Sequence, residues 1–308
     1  MNEPRKVIVM IKGGLGNQLF CYAAARRLAL VNHAELVLDD VSGFVRDSLY
    51  RRRYMLDKFH ITARRATPTE RREPFGRYRR KLAWLIAKRQ PFHARHYIKQ
   101  EGLDFDARLL HVRVKGTVYL DGLWQSENYF KDVEHIIRSD LTIQPCEDSR
   151  NREMAARIRD CEAVGVHVRR FSLHHREGAA YELKREYYQE AFRYLEERLH
   201  KPHYFVFSDD PDYAAKVLPS PQGRLTFVSH NRGDERAWAD LWLMTLCRHF
   251  IIANSTFSWW GAWLSPWDGH HVVSPGFVSY RGVTAWGFKG LIPVGWARLP
   301  SANGTNPD

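Results

Sequence analysis

Val164-Gly165-Val166-His167-Val168-Arg169-Arg170 is a short, alternating apolar run that ends in His-x-Arg-Arg. Val164, Gly165, Val166 and Val168 read as a buried strand. The two arginines fall where that strand stops. In open α/β sheets, ligands bind outside the carboxyl ends of the strands. Two guanidiniums and an imidazole at such an edge suit a nucleotide diphosphate. Arg gives forked, charge-assisted bonds to phosphate oxygens, and His bonds a base edge or a phosphate. A strand followed by a solvated basic turn would look the same over these seven residues, so the weight falls on what surrounds them.

Downstream the pattern repeats. A helix is expected over 185–199 and a strand over 203–207, ending at Ser208-Asp209-Asp210-Pro211. A helix over 212–218, a strand over 225–228 and a helix over 235–247 follow, the last with Trp238, Leu241, Trp242 and Leu246 on one face. A strand over 250–253 leads into Asn254-Ser255-Thr256-Phe257-Ser258, a helix over 259–264 and a final strand over 271–274. Strand–helix alternation of this kind predicts a parallel sheet with helices on both faces. Three strand ends then carry polar clusters: His167/Arg169/Arg170, Asp209/Asp210, and Asn254 to Ser258. A carboxylate accepts the paired N–H donors of guanine, while hydroxyls and backbone N–H groups at a helix N-terminus hold phosphate. Together they point to nucleotide binding.

Upstream, a strand over 6–11 runs into Gly13-Gly14-Leu15-Gly16-Asn17-Gln18 and a helix over 19–31. The glycines permit a tight turn and a close approach of a helix N-terminus to a ligand, although the spacing is not GxGxxG and a purely structural turn is equally consistent with it. Strands are expected over 35–38 and 117–120 and a helix over 126–139. Trp124, at the top of a strand and turn, is either a sugar-stacking platform or a core residue. Asp104-Phe105-Asp106 has the form of a metal-holding acidic pair but is common by chance. Polar residues 144–153, with Pro145, read as a linker.

Hydrophobic residues make up 44% and charged residues 27% of the 308, which indicates a globular chain and not a disordered one. That length suits two domains, expected over 1–150 and 151–308. Residues 46–113 hold nineteen Lys and Arg against seven Asp and Glu, which accounts for the whole formal net charge of +12. The charge is thus one insert-like region in an otherwise balanced chain, and no nucleic-acid-binding motif accompanies it. Within it, Leu82-Ala83-Trp84-Leu85-Ile86-Ala87 lies between basic flanks in a helical segment over about 77–88. Such a basic amphipathic helix either touches an anionic membrane surface peripherally or is simply a solvated face. Cys21, Cys146, Cys161 and Cys247 are far apart and form no CxxC pair, as expected of free thiols in the cytoplasm. No signal peptide is expected, because the apolar run over 7–11 is only a strand long, and no stretch reaches the roughly 18 apolar residues of a membrane span.

Gly13-Gly14-Leu15-Gly16-Asn17-Gln18-Leu19-Phe20, Trp124-Gln125-Ser126-Glu127, His167-Val168-Arg169-Arg170, Phe207-Ser208-Asp209-Asp210 and Ile252-Ala253-Asn254-Ser255-Thr256-Phe257-Ser258-Trp259-Trp260-Gly261-Ala262-Trp263 occur in this order. Together they resemble the inverting α-1,2-fucosyltransferases of glycosyltransferase family 11. The resemblance runs from near residue 10 to near residue 265, and its last motif is long and specific. It implies a GT-B fold, two Rossmann-like domains with the active site in the cleft between them. The first domain would be the acceptor side and the second would bind GDP-fucose. It implies GDP-β-L-fucose as donor, the 2-hydroxyl of a galactose in an oligosaccharide or lipid-linked glycan as acceptor, and no metal. Arg169, Arg170 and a helix N-terminus are able to neutralise a leaving GDP, in agreement with that last point.

On this resemblance the donor-binding residues are His167, Arg169, Arg170, Asp209, Asp210, Asn254, Ser255, Thr256, Phe257 and Ser258, and the catalytic ones Arg169, Asn17 and a base. Where relatives read His-x-Arg-Arg-Gly-Asp-Tyr, this chain has Phe171-Ser172 in place of Gly-Asp, so any orienting role of that Asp passes to another residue. Glu177 lies ten residues past His167, similar to the offset of the catalytic Glu in related α-1,6-fucosyltransferases. It is the first choice of base, followed by His174 or His175. A transferase of another GDP-sugar, or to another hydroxyl, is the alternative. A non-catalytic nucleotide- or nucleic-acid-binding protein is a more distant one.

Overall fold

The computed structural model describes residues 4–300 apart from 174, 175, 220, 222, 281 and 282. The chain forms two compact units, one running to Thr142 and including Lys289–Leu291, the other comprising Ile143–Phe288 and the chain from Ile292 onward.

The first unit is built on a parallel five-stranded sheet. Its strands are β1 (Lys6–Met10), β2 (Glu35–Asp39), β3 (Arg64–Arg65), β4 (Tyr97–Lys99) and β5 (Thr117–Asp121), in the order β3-β2-β1-β5-β4. Helix α1 (Leu15–Val31) follows β1 through Gly13, whose φ of +77° suits glycine. Leu15 to Gln18 thus form the first turn of the helix and are not part of the loop before it. α1 is apolar on nearly every side, with twelve buried residues, because it lies within the core rather than on it. Gln18 is fully buried. Its amide donates to the carbonyls of Gly13 (2.9 Å) and Arg53 (2.8 Å) and accepts from the Met55 N–H (2.9 Å).

The charged region 46–113 is woven into this sheet. It supplies both edge strands, β3 and β4, and helix α2 (Gly76–Ala87), which covers the sheet through Ala83, Ala87 and Trp84. Much of its arginine is locally neutralised: Arg64 pairs with Glu35 and Glu70, Arg65 with Asp57, and Arg71 with Glu73. After β5 the single helix expected over 126–139 is instead two 3-10 turns, Glu127–Tyr129 and Lys131–Val133, and then α3 (Glu134–Asp140). The break falls at Phe130, where the backbone leaves helical geometry and Tyr129 and Phe130 both enter the core.

The second unit holds a parallel six-stranded sheet of β6 (Ala163–Val168), β7 (His203–Ser208), β8 (Leu225–Val228), β9 (His249–Ile251), β10 (Val272–Pro275) and β13 (Ala297–Leu299). The spatial order β13-β10-β9-β6-β7-β8 is that of a dinucleotide-binding sheet. Every residue of β6 is buried, as a central parallel strand requires. The helices are α4 (Ser149–Arg159), α5 (Arg185–Glu196), α6 (Pro211–Val217), α7 (Ala237–Leu246) and α8 (Thr256–Trp263), and a small hairpin, β11 (Val278–Tyr280) with β12 (Val283–Trp286), lies outside the sheet. The expected linker is largely helix: Asp148 caps α4 by accepting from the Asn151 N–H (3.0 Å), so 149–153 are its first turn.

Replacing Gln18 with Ala strands two carbonyls and an N–H that it now satisfies. The expected cost is about 1–3 kcal/mol, measured by denaturant unfolding. An unchanged midpoint would mean that water replaces the side chain without loss.

Candidate active site

The switch point of the second sheet lies between β6 and β9, where the order of strands reverses. The residues singled out in the sequence gather at this edge. His167, near the end of β6, is buried, and its Nδ1 lies 2.9 Å from Ser258 Oγ in the first turn of α8. Ser258 Oγ also donates to the Ser255 carbonyl at 3.2 Å. One proton arrangement satisfies both contacts: Nδ1–H donates to Ser258, which leaves Nε2 as an acceptor. Burial first, and then Arg169, push the His167 pKa down to about 3, so the ring is neutral at physiological pH.

The backbone around His167 is held from below. Tyr188 on α5 donates its hydroxyl to the His167 carbonyl (3.2 Å), and Tyr187 donates to those of Ile252 (2.7 Å) and Val273 (3.2 Å). Burial raises both phenols well above their usual range, which keeps them donors. These braces escaped the sequence reading. Adjacent tyrosines on an amphipathic helix signal core packing, not support for a neighbouring strand end.

Arg169 pairs with Asp209 at 2.6 Å and lies 5.6 Å from the centroid of the Phe171 ring. Arg170 pairs with Asp210, its N–H donates to Asp209 (2.9 Å), and its Nε donates to Ser172 Oγ (3.2 Å). Asp210 also caps α6 by accepting from the Tyr213 N–H (2.9 Å). The two aspartates thus hold the loop after β6. Phe171 and Ser172, which replace the Gly-Asp of relatives, each contact one of the arginines. The Ser172 N–H donates to Glu182 (2.8 Å), a buried carboxylate that the sequence reading did not single out. Through that bond Glu182 anchors the turn.

At the end of β9, Asn254 donates its amide to the Tyr181 carbonyl (2.9 Å), while its buried Oδ1 has no partner among the described residues. Ser255 is the N-cap of α8, with no capping bond from its own side chain, and Thr256, Phe257 and Ser258 form the first turn. The Phe257 ring lies 5.4 Å from the His167 ring. Trp259, Trp260 and Trp263, packed together and buried, fix the helix behind this end.

Glu177 is exposed and makes no hydrogen bond or ion pair among the described residues. Arg185, a potential partner, donates to the Lys216 carbonyl instead (3.4 Å). His174 and His175 lie outside the described residues. Asn17 belongs to the first unit, where its Oδ1 accepts from Gln125 Nε2 at 2.7 Å, bridging the ends of β1 and β5.

Two readings that the sequence left open are resolved. Trp124 is buried, edge-on to Tyr129 at 5.6 Å, and is core, not a platform. Asp104 accepts from the Lys289 N–H (2.9 Å), while Asp106 caps a 3-10 turn and pairs with Arg108 (2.7 Å), so both carboxylates of the acidic triplet anchor chain. Another indole, Trp84, is half-buried at a cavity of about 530 Å³ in the first unit. This cavity reaches the carboxyl ends of β1, β4 and β5 through Met10, Lys99 and Asp121.

Residues 6–280 match glycosyl transferase family 11. The chain is 30% identical over 283 residues to an Escherichia coli alpha-1,2-colitosyltransferase, covering 87% of this chain and 91% of the relative. It is also 30% identical over 285 residues to the O-antigen biosynthesis glycosyltransferase WbnK of Escherichia coli, covering 86% and 92%. In structure it is similar to a point variant of Arabidopsis thaliana FUT1 in complex with GDP, with a TM-score of 0.56 at 15% identity over 92% of this chain and 72% of that one. That likeness shows the GT-B arrangement of two Rossmann-like units. With a family match across most of its length and relatives aligned nearly end to end, the chain belongs to glycosyltransferase family 11.

Proposed function

We propose that this glycosyltransferase moves L-fucose from GDP-β-L-fucose to the 2-hydroxyl of a galactose in an oligosaccharide or lipid-linked glycan, with inversion to the α-linkage. The observation that carries the reading is the switch point of the second sheet, where a neutral His167 is tied through Ser258 to the N-terminal end of α8. Such an end attracts the donor diphosphate. The unpartnered Asn254 Oδ1 supplies an acceptor for a donor N–H or hydroxyl. A second reading keeps the α-1,2 linkage and takes colitose as the sugar. It is favoured by the 30% identity to an alpha-1,2-colitosyltransferase.

The reaction is one in-line displacement. The acceptor hydroxyl attacks the anomeric carbon, the bond to GDP breaks on the opposite face, and a base takes the hydroxyl proton. Arg169, held by Asp209 and Phe171, takes up charge on the departing diphosphate with the dipole of α8. No divalent ion is assigned a part. Glu177, with both oxygens free of partners among the described residues, is the proposed base. The first unit's cavity is the proposed acceptor site, with Trp84 as the ring against which a sugar stacks.

The direct test is a panel of fucose and colitose donors with galactosides, the linkage being read by NMR. A product linked anywhere but the galactose 2-position overturns the reading. Arg169→Ala should lower kcat by about 10²–10³, and wild-type activity should survive EDTA. Loss in EDTA that manganese restores would transfer the charge-neutralising role to a metal.

Glu177→Gln should keep GDP affinity and lose about 10²–10⁴ in kcat, with smaller losses for His174→Ala and His175→Ala. The pH profile separates these candidates. The folded pKa of His167, about 3, is below its ordinary value of 6.5. Protonating it therefore opposes folding only as the pH falls below about 6.5, with a penalty that grows toward 3. His167 itself gives no limb in the rate near 6.5. A limb there, with full turnover in Glu177→Gln, moves the base to His174 or His175.

A further inference from the structure

Helix α2 has two apolar faces, and only one of them is used. Ala83 and Ala87 are buried and Trp84 packs against the sheet core. On the opposite side Tyr78, Leu82, Leu85 and Ile86 are between 46% and 69% exposed, and Phe75 at the N-cap is 72% exposed. At 100° per residue these four helical side chains form one outward stripe. Arg79 borders it on one side, and Arg77, Lys81 and Lys88 on the other, all exposed. Residues 75–90 contain six Lys and Arg and no Asp or Glu.

We propose that this face docks the protein on an anionic lipid bilayer, with α2 lying in the plane of the interface. The apolar stripe enters the acyl boundary and the flanking cations meet the headgroups, the arrangement of an interfacial helix. Charge selects this occupant. A second copy of the same face would bring two all-cationic helices together, and a nucleic acid would leave the apolar stripe in water. At twelve residues the helix is roughly 18 Å long, too short to cross the ~30 Å hydrocarbon core. It lies on the membrane and does not span it. The docked face is on the back of the helix whose inner side borders the proposed acceptor cavity.

The test is flotation of the full chain with vesicles of phosphatidylcholine alone or with a third phosphatidylglycerol. Binding is expected to the anionic vesicles, at least about tenfold above the neutral ones, and to weaken with salt. Leu82→Glu/Leu85→Glu/Ile86→Glu should lose about tenfold or more of that binding while keeping the thermal midpoint. Arg79→Ser/Arg89→Ser, a second variant, should lose the preference for anionic lipid. Absence of binding by the wild type, equal binding to neutral vesicles, or undiminished binding of the triple variant overturns the proposal. So does an oligomer that the triple variant converts to monomer, since a second copy would then cover the face. The readout does not require transfer activity. Transfer to a water-soluble galactoside, run in parallel, should be unchanged in the triple variant, and its absence in the wild type bears on the function alone.

Discussion

The second unit is organised by the complete burial of β6. A parallel strand covered on both sides cannot place a charge until it ends, and here the first charged residue is Arg169, one residue beyond Val168. Everything polar is therefore displaced to the carboxyl edge. At that edge β9 lies alongside, and the path of its chain into α8 brings Ser258 beneath His167. The first unit uses the same device at a different place. Its order reverses between β1 and β5, and there Asn17 and Gln125 bridge the two strand ends. In each unit a side-chain bond at the switch point joins two sequence motifs. The motifs lie far apart in the chain because strands adjacent in space are joined by long crossovers.

The pairing of the two arginines with two aspartates fixes what this edge of the sheet presents. Arg169 spends one edge of its guanidinium on Asp209 and rests near the Phe171 ring, so its remaining N–H groups have a defined direction. Asp210 is committed two ways, to Arg170 and to the Tyr213 N–H at the start of α6. Asp209 is likewise committed, to the Arg169 guanidinium and to the Arg170 N–H, so both carboxylates hold the loop after β6. Phenylalanine at 171 and serine at 172 do not leave the loop slack, because Glu182 and the guanidiniums take up both positions from outside.

The parts of this architecture legible in the sequence were those governed by local rules. Strand ends with apolar runs behind them, and helices with a clear apolar face, fall close to their expected places, as with β5, β7 and α5. Short edge strands did not show: β3 is two arginines and β4 three residues, defined by their partners and not by composition. The helix expected over 126–139 failed at Phe130 because burying two aromatics outweighed helical continuity. Residues 144–153 read as linker from their polarity and Pro145, yet their second half starts a helix that Asp148 caps. At the site, charged residues at strand ends were visible because such placement is rare without a purpose. Glu182, Tyr187 and Tyr188 were not, since their partners are backbone groups brought near only by the fold.

The basic region shows how one composition signal divides among several physical tasks. Arg64, Arg65, Arg71 and Arg108 are neutralised by carboxylates close at hand, so their charge serves packing at the edges of the sheet. Lys99 lies 5.2 Å from the Trp84 ring, holding that indole at the cavity. On α2 cations stand beside exposed apolar side chains with no acid on the helix, and burying Ala83, Ala87 and Trp84 forces that stripe outward. A net charge of +12 therefore says little by itself. Its meaning lies in which cations the fold leaves beside a surface that water does not favour.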